Sequence, residues 1–572
     1  MANLSDHDLK QMDEVWQGCQ PEPVVRGLLK RALDDLRLAR DRLNQTPSNS
    51  SRPSGSMPPW QRSAIADAAS QALDQGAAGE GQDCAQPSAA GANPEQPQAP
   101  AGAAQAETPA LKPESGAQVA AAEQVKRAGR RMGAPGHGRT QKLLPTQTQE
   151  HRPLCCSACQ LPLPHDGEAQ AWTGWDTLEM LPLNAALGAA SPELGVRIEV
   201  TRHLLMQQRC ACGHTSRALA SRAAEDGLWP GVHISEQRLL GPRLAAAVVH
   251  LCVRMRLPRR KVSELLLEWF GLELSAALID QTVHQAARSV APLEQQLAEQ
   301  LETAALVYVD ETSWSEAGQA LWLWVLCCCH TVLYVIGART KDMFDNALSL
   351  GYGGTVMSDG YSAYRARLLR LRCWAHLHRK LRGVAESTDR SAAQSGGAML
   401  QAFDGLMAAV FDARKRLAQP PQAGVGAGES AAPPAATHAH VVEQLRQLCQ
   451  QHRDAPHKAL REIAREFLYD WKVIMHVLDD PRLPLTNNVA ERQLRHYVIA
   501  RRVSYGTRTA VGSHSVALLA SIIDTCRLRQ ASATDLLARA IHAARMGQPA
   551  PNLPPITPHL AALSPLKAGA GV

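Results

Sequence analysis

Leu306-Val-Tyr-Val-Asp310 is a short apolar run that ends in a carboxylate, and it marks the point where the chain changes its period. Ahead of it, residues 242 to 301 repeat at helical spacing. Behind it, Ala320-Leu-Trp-Leu-Trp-Val-Leu326 and Thr331-Val-Leu-Tyr-Val-Ile336 read as two further strands joined by a tight connection. A helix over Lys341 to Leu350 and a fourth strand, Gly354-Thr-Val-Met-Ser-Asp359, follow. Three consecutive strands, a helix and another strand predict a mixed α/β sheet. Two of those strands end in aspartate, and carboxylates leaving neighbouring strand ends of an open sheet can converge on one site.

A third acid arrives much later. Pro484-Leu-Thr-Asn-Asn-Val-Ala-Glu491-Arg-Gln-Leu-Arg495 opens with helix-capping residues, Thr486 or Asn487, and continues as a helix that projects Glu491 near its beginning. Three carboxylates, two from strand ends and one from a packed helix, can hold two divalent magnesium ions about 4 Å apart, because a hard cation takes oxygen ligands. Such a pair activates an attacking hydroxyl and stabilises the leaving oxygen of a phosphodiester. Singly, each acid has a plainer explanation. A strand-end Asp is usually a turn residue, and a helical Glu beside Arg492 and Arg495 is usually a surface ion pair.

At 572 residues the chain has room for several folded units, which excludes a single small binding module. The hydrophobic fraction of 45% and charged fraction of 20% are those of a globular protein, diluted by 40 Gly and 36 Pro. No run reaches the roughly eighteen apolar residues of a membrane span, and the start lacks a basic head and apolar core, so a cytoplasmic protein is expected. In that compartment the 14 cysteines are expected to be reduced, some of them metal ligands. The net charge of +6 is modest, but the bases cluster: residues 126–142, 254–261, 365–382 and 492–508 carry six, five, seven and five Lys or Arg and no acid. Four such stretches suit a polyanion, since each neutralised phosphate releases a counterion; solvated surface charge is the plainer account of any one.

Cys156-x-x-Cys159 and Cys210-x-Cys212-Gly, with strand-like Val196-Arg-Ile-Glu-Val-Thr201 leading into the second pair, can supply four thiolates to a closed structural zinc site. Unmetallated core cysteines are the alternative, Cys155 competes with Cys156 for the first position, and His214 is a spare ligand. Leucines at 28, 29, 33, 36, 38 and 43 predict an amphipathic helix or short coiled coil. Residues 63–125, with eight acids, one base and no aromatic, read as a disordered spacer. Gly133-Ala-Pro-Gly-His-Gly-Arg139 reads as a basic arm along phosphates or a plain hinge. Arg259 to Gly271 followed by Leu274 to Val283 has the outline of a helix-turn-helix, whose second helix either enters a major groove or simply packs.

Asn49-Ser-Ser-Arg-Pro-Ser, the Gly-x-Pro-Gly-His arm, the cysteine pairs, Val309-Asp-Glu-Thr312, Ser358-Asp-Gly-Tyr-Ser-Ala-Tyr364, Cys373-Trp-Ala-His376 with Arg379-Lys380, and Thr486-Asn-Asn-x-Ala-Glu-Arg492 with Arg501-Arg502 keep one order along the chain. Together they resemble the transposases of the insertion-sequence-66 family. The resemblance implies an Asp-Asp-Glu transposase with an RNase-H-like catalytic core. Asp310, Asp359 and Glu491 would be both its catalytic acids and its Mg2+ (or Mn2+) ligands, with structural Zn2+ on Cys156, Cys159, Cys210 and Cys212. Its partners would be terminal inverted repeats and target DNA, a second copy of the chain on DNA, and small accessory proteins of the same element. DNA contacts would fall to Arg130, Arg131 and Arg139 in the arm, to Arg259, Arg260 and Lys261, and to Arg492, Arg495, Arg501 and Arg502 near the cut. Glu311 should point to the other side of its strand, and Cys373, Trp374 and His376 should be core packing, with a place for His376 at the site as the alternative.

The expected organisation is an N-terminal helix (1–45), a disordered linker with the basic arm (46–150), a zinc ribbon (151–225), a helix-turn-helix-like region (226–302), the first part of the core (303–386), a helical insertion (387–480), the second part (481–545) and a tail (546–572). Two departures stand out: a long spacer over 63–125, and Val503-Ser-Tyr505 where an aromatic usually follows the Arg pair. A metal-dependent nuclease that never joins strands, and a DNA-binding regulator that has lost catalysis, are the alternative functions.

Overall fold

The computed structural model describes residues 22–43, 142–182, 195–219, 238–418 and 433–557. The linker tract, Arg130, Arg131 and Arg139 of the arm, the low-complexity patch after Ala418 and most of the C-terminal tail lie outside the described residues.

Helix α1 (Glu22–Leu43) bears the expected leucines, of which Leu29, Leu33 and Leu36 are exposed. Asp41, near its end, accepts hydrogen bonds from the backbone N–H and hydroxyl of Thr388 and the hydroxyl of Ser387. A first sheet follows, built from β1 (Gln147–His151), β2 (Ala169–Pro182), β3 (Val196–Arg209) and β4 (Thr215–Arg217), with β3 between β1 and β2 and also paired to β4. β2 and β3 are antiparallel along nearly their full length, whereas β1 runs parallel to β3.

Four helices come next: α2 (Pro242–Val253), α3 (Arg259–Phe270), α4 (Ala276–Val290) and α5 (Pro292–Glu302). Gly271 ends α3 in the left-handed region at φ +63°, and the Ser275 hydroxyl caps α4 by accepting the N–H of Leu278. The helix-turn-helix outline therefore forms. Yet α4 lies against α2 and against the C-terminal helices α14 and α15 described below, burying Ile279, Thr282, Val283, Ala286, Ala287 and Val290. Of the two roles left open by the sequence, packing accounts for most of its surface.

The second sheet has strand order β7-β6-β5-β8-β9, from β5 (Leu306–Glu316), β6 (Gln319–Cys327), β7 (Val332–Gly337), β8 (Thr355–Ser358) and β9 (Arg370–Arg372). The first three form an antiparallel meander, while β8 and β9 run parallel to β5. Parallel pairing needs a crossover, here supplied by α6 (Lys341–Ala347) between β7 and β8. Both faces of this sheet are covered, which is why its strands read as continuous apolar runs.

Each face has its own core. On one, Val307, Val309, Leu323 and Val325 pack with α2 to α5 and with α13 (Asn488–Ser504), α14 (Ala510–Leu528) and α15 (Ala533–Arg545). On the other, Leu306, Met357 and Leu371 pack with α7 (Trp374–Ala385) and five further helices: α8 (Arg390–Ala418), α9 (Pro434–Thr437), α10 (Ala439–His452), α11 (Lys458–Tyr469) and α12 (Trp471–Asp479). Trp374 is the centrepiece of that second core. Its indole N–H donates to the Ile474 carbonyl at 2.9 Å and its ring lies 4.7 Å from that of Phe403. Among the described residues, the stretch from Trp374 to Asp479 between the second and third acids is thus mainly helical and covers one face of the sheet. Among the described residues no helix is long and apolar enough to cross a membrane.

Candidate active site

β5 and β8 lie side by side and parallel, with Tyr308 opposite Met357. Asp310 and Asp359 each stand two residues beyond that pair and so in equivalent register; Asp359 follows the end of β8, but β5 runs on to Glu316 with Asp310 paired opposite Val325, so Asp310 lies within its strand and not at its end as the sequence suggested. Alternation along β5 puts Asp310 on the face of Leu306 and Glu311 on the face of Val307 and Val309. Glu311 is engaged there: Arg339 donates to its Oε1 at 2.7 Å and the Tyr364 hydroxyl to its Oε2. Arg339 is itself held between the rings of Trp322 and Tyr361, 4.2 and 4.1 Å from their centres.

Glu491 sits in the first turn of α13, which packs on β5 and β6. The predicted cap behaves differently from expectation. Asn487 occupies the N-cap position, but its side chain makes no capping bond; its amide donates to the Val309 carbonyl at 2.8 Å, and its backbone N–H donates to the Cys373 sulfur. The residue thereby fastens the start of α13 to β5 one residue before Asp310, which serves the site more directly than a cap would.

Trp374 is core packing, and of the two places left open for His376 its position favours the second: on the first turn of α7 it reaches the third acid. Its Nδ1 lies 3.6 Å from Glu491 Oε1, and Arg379 Nη2 lies 3.6 Å from the same oxygen. Neither His376 Nδ1 nor Glu491 Oε1, both buried, makes a hydrogen bond. Cys373 Sγ, a ring nitrogen of His376 and a Glu491 oxygen lie within 4.8 Å of one another.

The electrostatics follow from this crowding. Burial, then the charges of Asp359, Glu491 and Glu311, hold the Asp310 carboxyl well above the usual aspartate range. Burial and the Arg379 guanidinium pull His376 below the ordinary histidine value, leaving its imidazole neutral at pH 7. Asp359 accepts the Tyr361 N–H at 2.9 Å, and its carbonyl accepts the Arg372 Nε–H at 2.9 Å. Buried carboxylates that press on one another, beside an orphaned carboxylate oxygen, suit a divalent cation of hard character. Asp310, Asp359 and Glu491 are not among the groups whose ligand atoms all close within 4.8 Å.

The cysteine pairs do converge. Cys156 and Cys212 sulfurs lie 3.6 Å apart, as do those of Cys159 and Cys210, and all four lie within 4.8 Å. Tetrahedral zinc with sulfurs at about 2.3 Å has sulfur–sulfur edges of about 3.8 Å, so the four fit that ion. The Cys159 backbone N–H pulls the Cys156 thiol down to about 5, towards the thiolate that a metal takes. Cys155 lies outside this group, and His214 instead meets the Ser157 hydroxyl at 2.9 Å.

The remaining predicted bases divide. Arg492, Arg495 and Arg502 are exposed along α13, whereas Arg501 turns inward to Thr312 and Ser313 of β5. Arg259 pairs with Asp280 across α3 and α4, Lys261 pairs with Glu264, and Arg260 is exposed. Arg372 and Arg339 carry the site's architecture without having been singled out individually, while Arg379 was quoted only within a motif and Asn487 only as a helix cap. The cluster of bases over 365–382 hinted at Arg372 and Arg379.

No curated protein matches this chain. Residues 237–515 match the model described as Transposase IS66 family, a segment that contains all three acids, the histidine and both sheet-covering sets of helices in large part. By that match residues 237–515 are a domain of the IS66 family of transposases.

Proposed function

We propose that this chain is a transposase of the Asp-Asp-Glu type, with an RNase-H-like core over 303–386 and 481–545 interrupted by a helical insertion over 387–480, and with Asp310, Asp359 and Glu491 as the acids that hold its catalytic metal ions. The observation that carries the reading is the matched register of Asp310 and Asp359 on parallel β5 and β8, with Asp359 and Glu491 close enough for their charges to press on Asp310. A meander of three strands followed by two parallel ones, β7-β6-β5-β8-β9, supports the RNase-H-like assignment. Magnesium or manganese, when bound, supplies Lewis-acid activation of the attacking oxygen and neutralises charge on the leaving one.

The chain's own residues set up that chemistry. Asp310 and Asp359 stand in matched register on a rigid sheet, so their separation is fixed by strand pairing. Glu491 is steered by His376 and Arg379 from α7 and anchored through Asn487. In the first reaction water attacks phosphorus, the bond to the 3′ oxygen breaks, and the freed strand end leaves as a hydroxyl. In the second, that hydroxyl attacks a target phosphodiester, forming one phosphorus–oxygen bond as another breaks. The DNA would be terminal inverted repeats and then target, with the zinc-binding sheet and the exposed bases of α13 as contacts. Asp310→Asn and Asp359→Asn should each lose strand cleavage by at least about 10³-fold while retaining DNA binding. Cleavage retained by both variants would refute the assignment, and a supercoiled-plasmid joining assay on the parent protein separates transposase from nuclease.

A further inference from the structure

On the far side of α13 from Glu491 lies a cleft of about 470 Å³, lined by Arg254, Arg492, Gln493, His496 and Arg527 with Val489 and Leu528 as its apolar part. The cations come from three elements far apart in sequence: Arg254 at the end of α2, Arg492 on α13, and Arg527 in the last turn of α14; His496, one turn from Arg492, is pulled below the ordinary histidine value by burial and by Arg254 and adds no charge at pH 7. One carboxylate touches them. Asp524 is fully buried, and its Oδ1 accepts from Arg254 at 3.1 Å and Arg527 at 3.3 Å, while its Oδ2 accepts from the hydroxyls of Tyr334 and Tyr497 at 2.9 and 3.1 Å. Arg527 also donates to the Gln493 side chain at 3.1 Å.

This arrangement fixes two guanidiniums and leaves charge over. Asp524 is saturated by four donors, so it orients Arg254 and Arg527 from behind without cancelling the third cation. Arg492 forms no ion pair with any described residue and is exposed. A guanidinium has five N–H groups in a rigid fork, and those not used on Asp524 or Gln493 remain for a ligand. The ligand must be an anion with several acceptor oxygens. No Phe, Tyr or Trp lines the cleft, and its one ring, the His496 imidazole, packs edge-on against Tyr497 at 4.8 Å, so among the described residues it offers forks for a phosphate and no broad platform for a base.

We propose that this cleft binds a backbone phosphodiester of DNA, as a second contact separate from the scissile phosphate at the three acids. Its polymer partner rests on the transposase reading, whereas its preference for phosphate rests on the cleft alone. The contact is independent of sequence and serves to hold the duplex against α13, with Glu491 and Arg492 on adjacent positions of one helix addressing different phosphates.

The test uses the full chain carrying Asp310→Asn, so that bound DNA is not cut, with and without Arg492→Gln, Arg527→Gln and the pair. Duplex affinity is measured across a sodium chloride series, and melting is followed with and without inorganic phosphate. The expected result is a uniform loss of affinity on related and unrelated duplexes, with a salt slope shallower by about one for the phosphate released. Arg492→Gln keeps the fold because that side chain has no ion pair to lose, and Arg492→Lys should recover part of the affinity. An unchanged slope and affinity in the double variant overturns the proposal. So does stabilisation by inorganic phosphate that both substitutions abolish while duplex binding is untouched, which would make the cleft a site for small free phosphates. Failure here leaves the cleavage result with Asp310 and Asp359 variants unaffected, because none of these residues touches either aspartate.

Discussion

The Nδ1 atom of His376 stands 3.6 Å from Oε1 of Glu491, and neither atom has a hydrogen bond. A neutral imidazole and a carboxylate at that spacing are too far apart for a good hydrogen bond and are not a charged pair. Two buried unpartnered atoms are costly unless something else completes them, and at this site a cation or its water does so naturally.

His376→Ala should therefore act on the metal requirement. The concentration of Mg2+ or Mn2+ for half-maximal cleavage should rise, and cleavage at limiting metal should fall by about 10- to 100-fold, the usual consequence of losing a residue that orients a ligand. DNA affinity should not change. An unaltered metal titration in this variant would return His376 to simple packing.

Asp310 makes the fold pH-sensitive in a definite direction. Its folded carboxyl is held above the ordinary aspartate range by burial and by the acids around it. The folded state thus favours the protonated form, a contribution present at low pH and lost as pH rises through the raised value. Asn cannot ionise. In buffer free of divalent Mg2+ or Mn2+, Asp310→Asn should resist urea better than the parent at pH 8, by about 1 kcal/mol or more, with the advantage vanishing near pH 4. An equal advantage at both pH values would mean that packing, not charge, is responsible.

The sheet was legible in the sequence because its strands contain apolar runs bounded by turn residues; the end of β5 was not, since the polar stretch Asp310 to Glu316 continues the strand through its pairing with β6. Glu491 was legible as a first-turn acid. The residues that join these pieces were not. Asn487 looks like any helix cap, and nothing local reveals that its amide reaches the carbonyl of Val309, 178 positions earlier. His376 sits two residues after Trp374 and one before Leu377, both buried, so its helical neighbourhood reads as core; only the approach of the first turns of α7 and α13 brings it to Glu491. Likewise α4 shows a well-formed cap and turn, yet the helices that bury it, α14 and α15, begin more than two hundred residues later.

Arg372 illustrates how the helical insertion supports the site. Its side chain is fully buried; it bonds Asp470 and Glu466 from the insertion and the carbonyl of Asp359 from the sheet, while Arg370 bonds Asp470 at 2.8 Å. Asp470→Ala would strip two guanidiniums of their shared carboxylate, at a cost of about 3–5 kcal/mol in unfolding free energy. The exposed pair of Arg465 and Asp454 at 2.7 Å is the comparison, since Asp454→Ala should cost less than about 1 kcal/mol despite equally short geometry. Similar losses in the two variants would show that burial of the Arg372 network contributes nothing special.

The cysteine group makes a separable prediction, because its four sulfurs belong to the first sheet and its loops. At 3.6 Å the Cys156–Cys212 and Cys159–Cys210 sulfurs are too far apart to be bonded disulfides, whose sulfurs lie about 2.05 Å apart, and suitably placed to share one zinc. The purified chain should carry one equivalent of zinc at this group. Cys156→Ser should lose it, whereas Cys155→Ser, altering a neighbour outside the cluster, should keep it. Since folding energy here is metal-binding energy, loss of the ion should expose residues 142–219 to protease while the buried tryptophans Trp324 and Trp374 report an intact second sheet. Zinc retained at full occupancy by Cys156→Ser, or lost equally from Cys155→Ser, would assign the ligands wrongly.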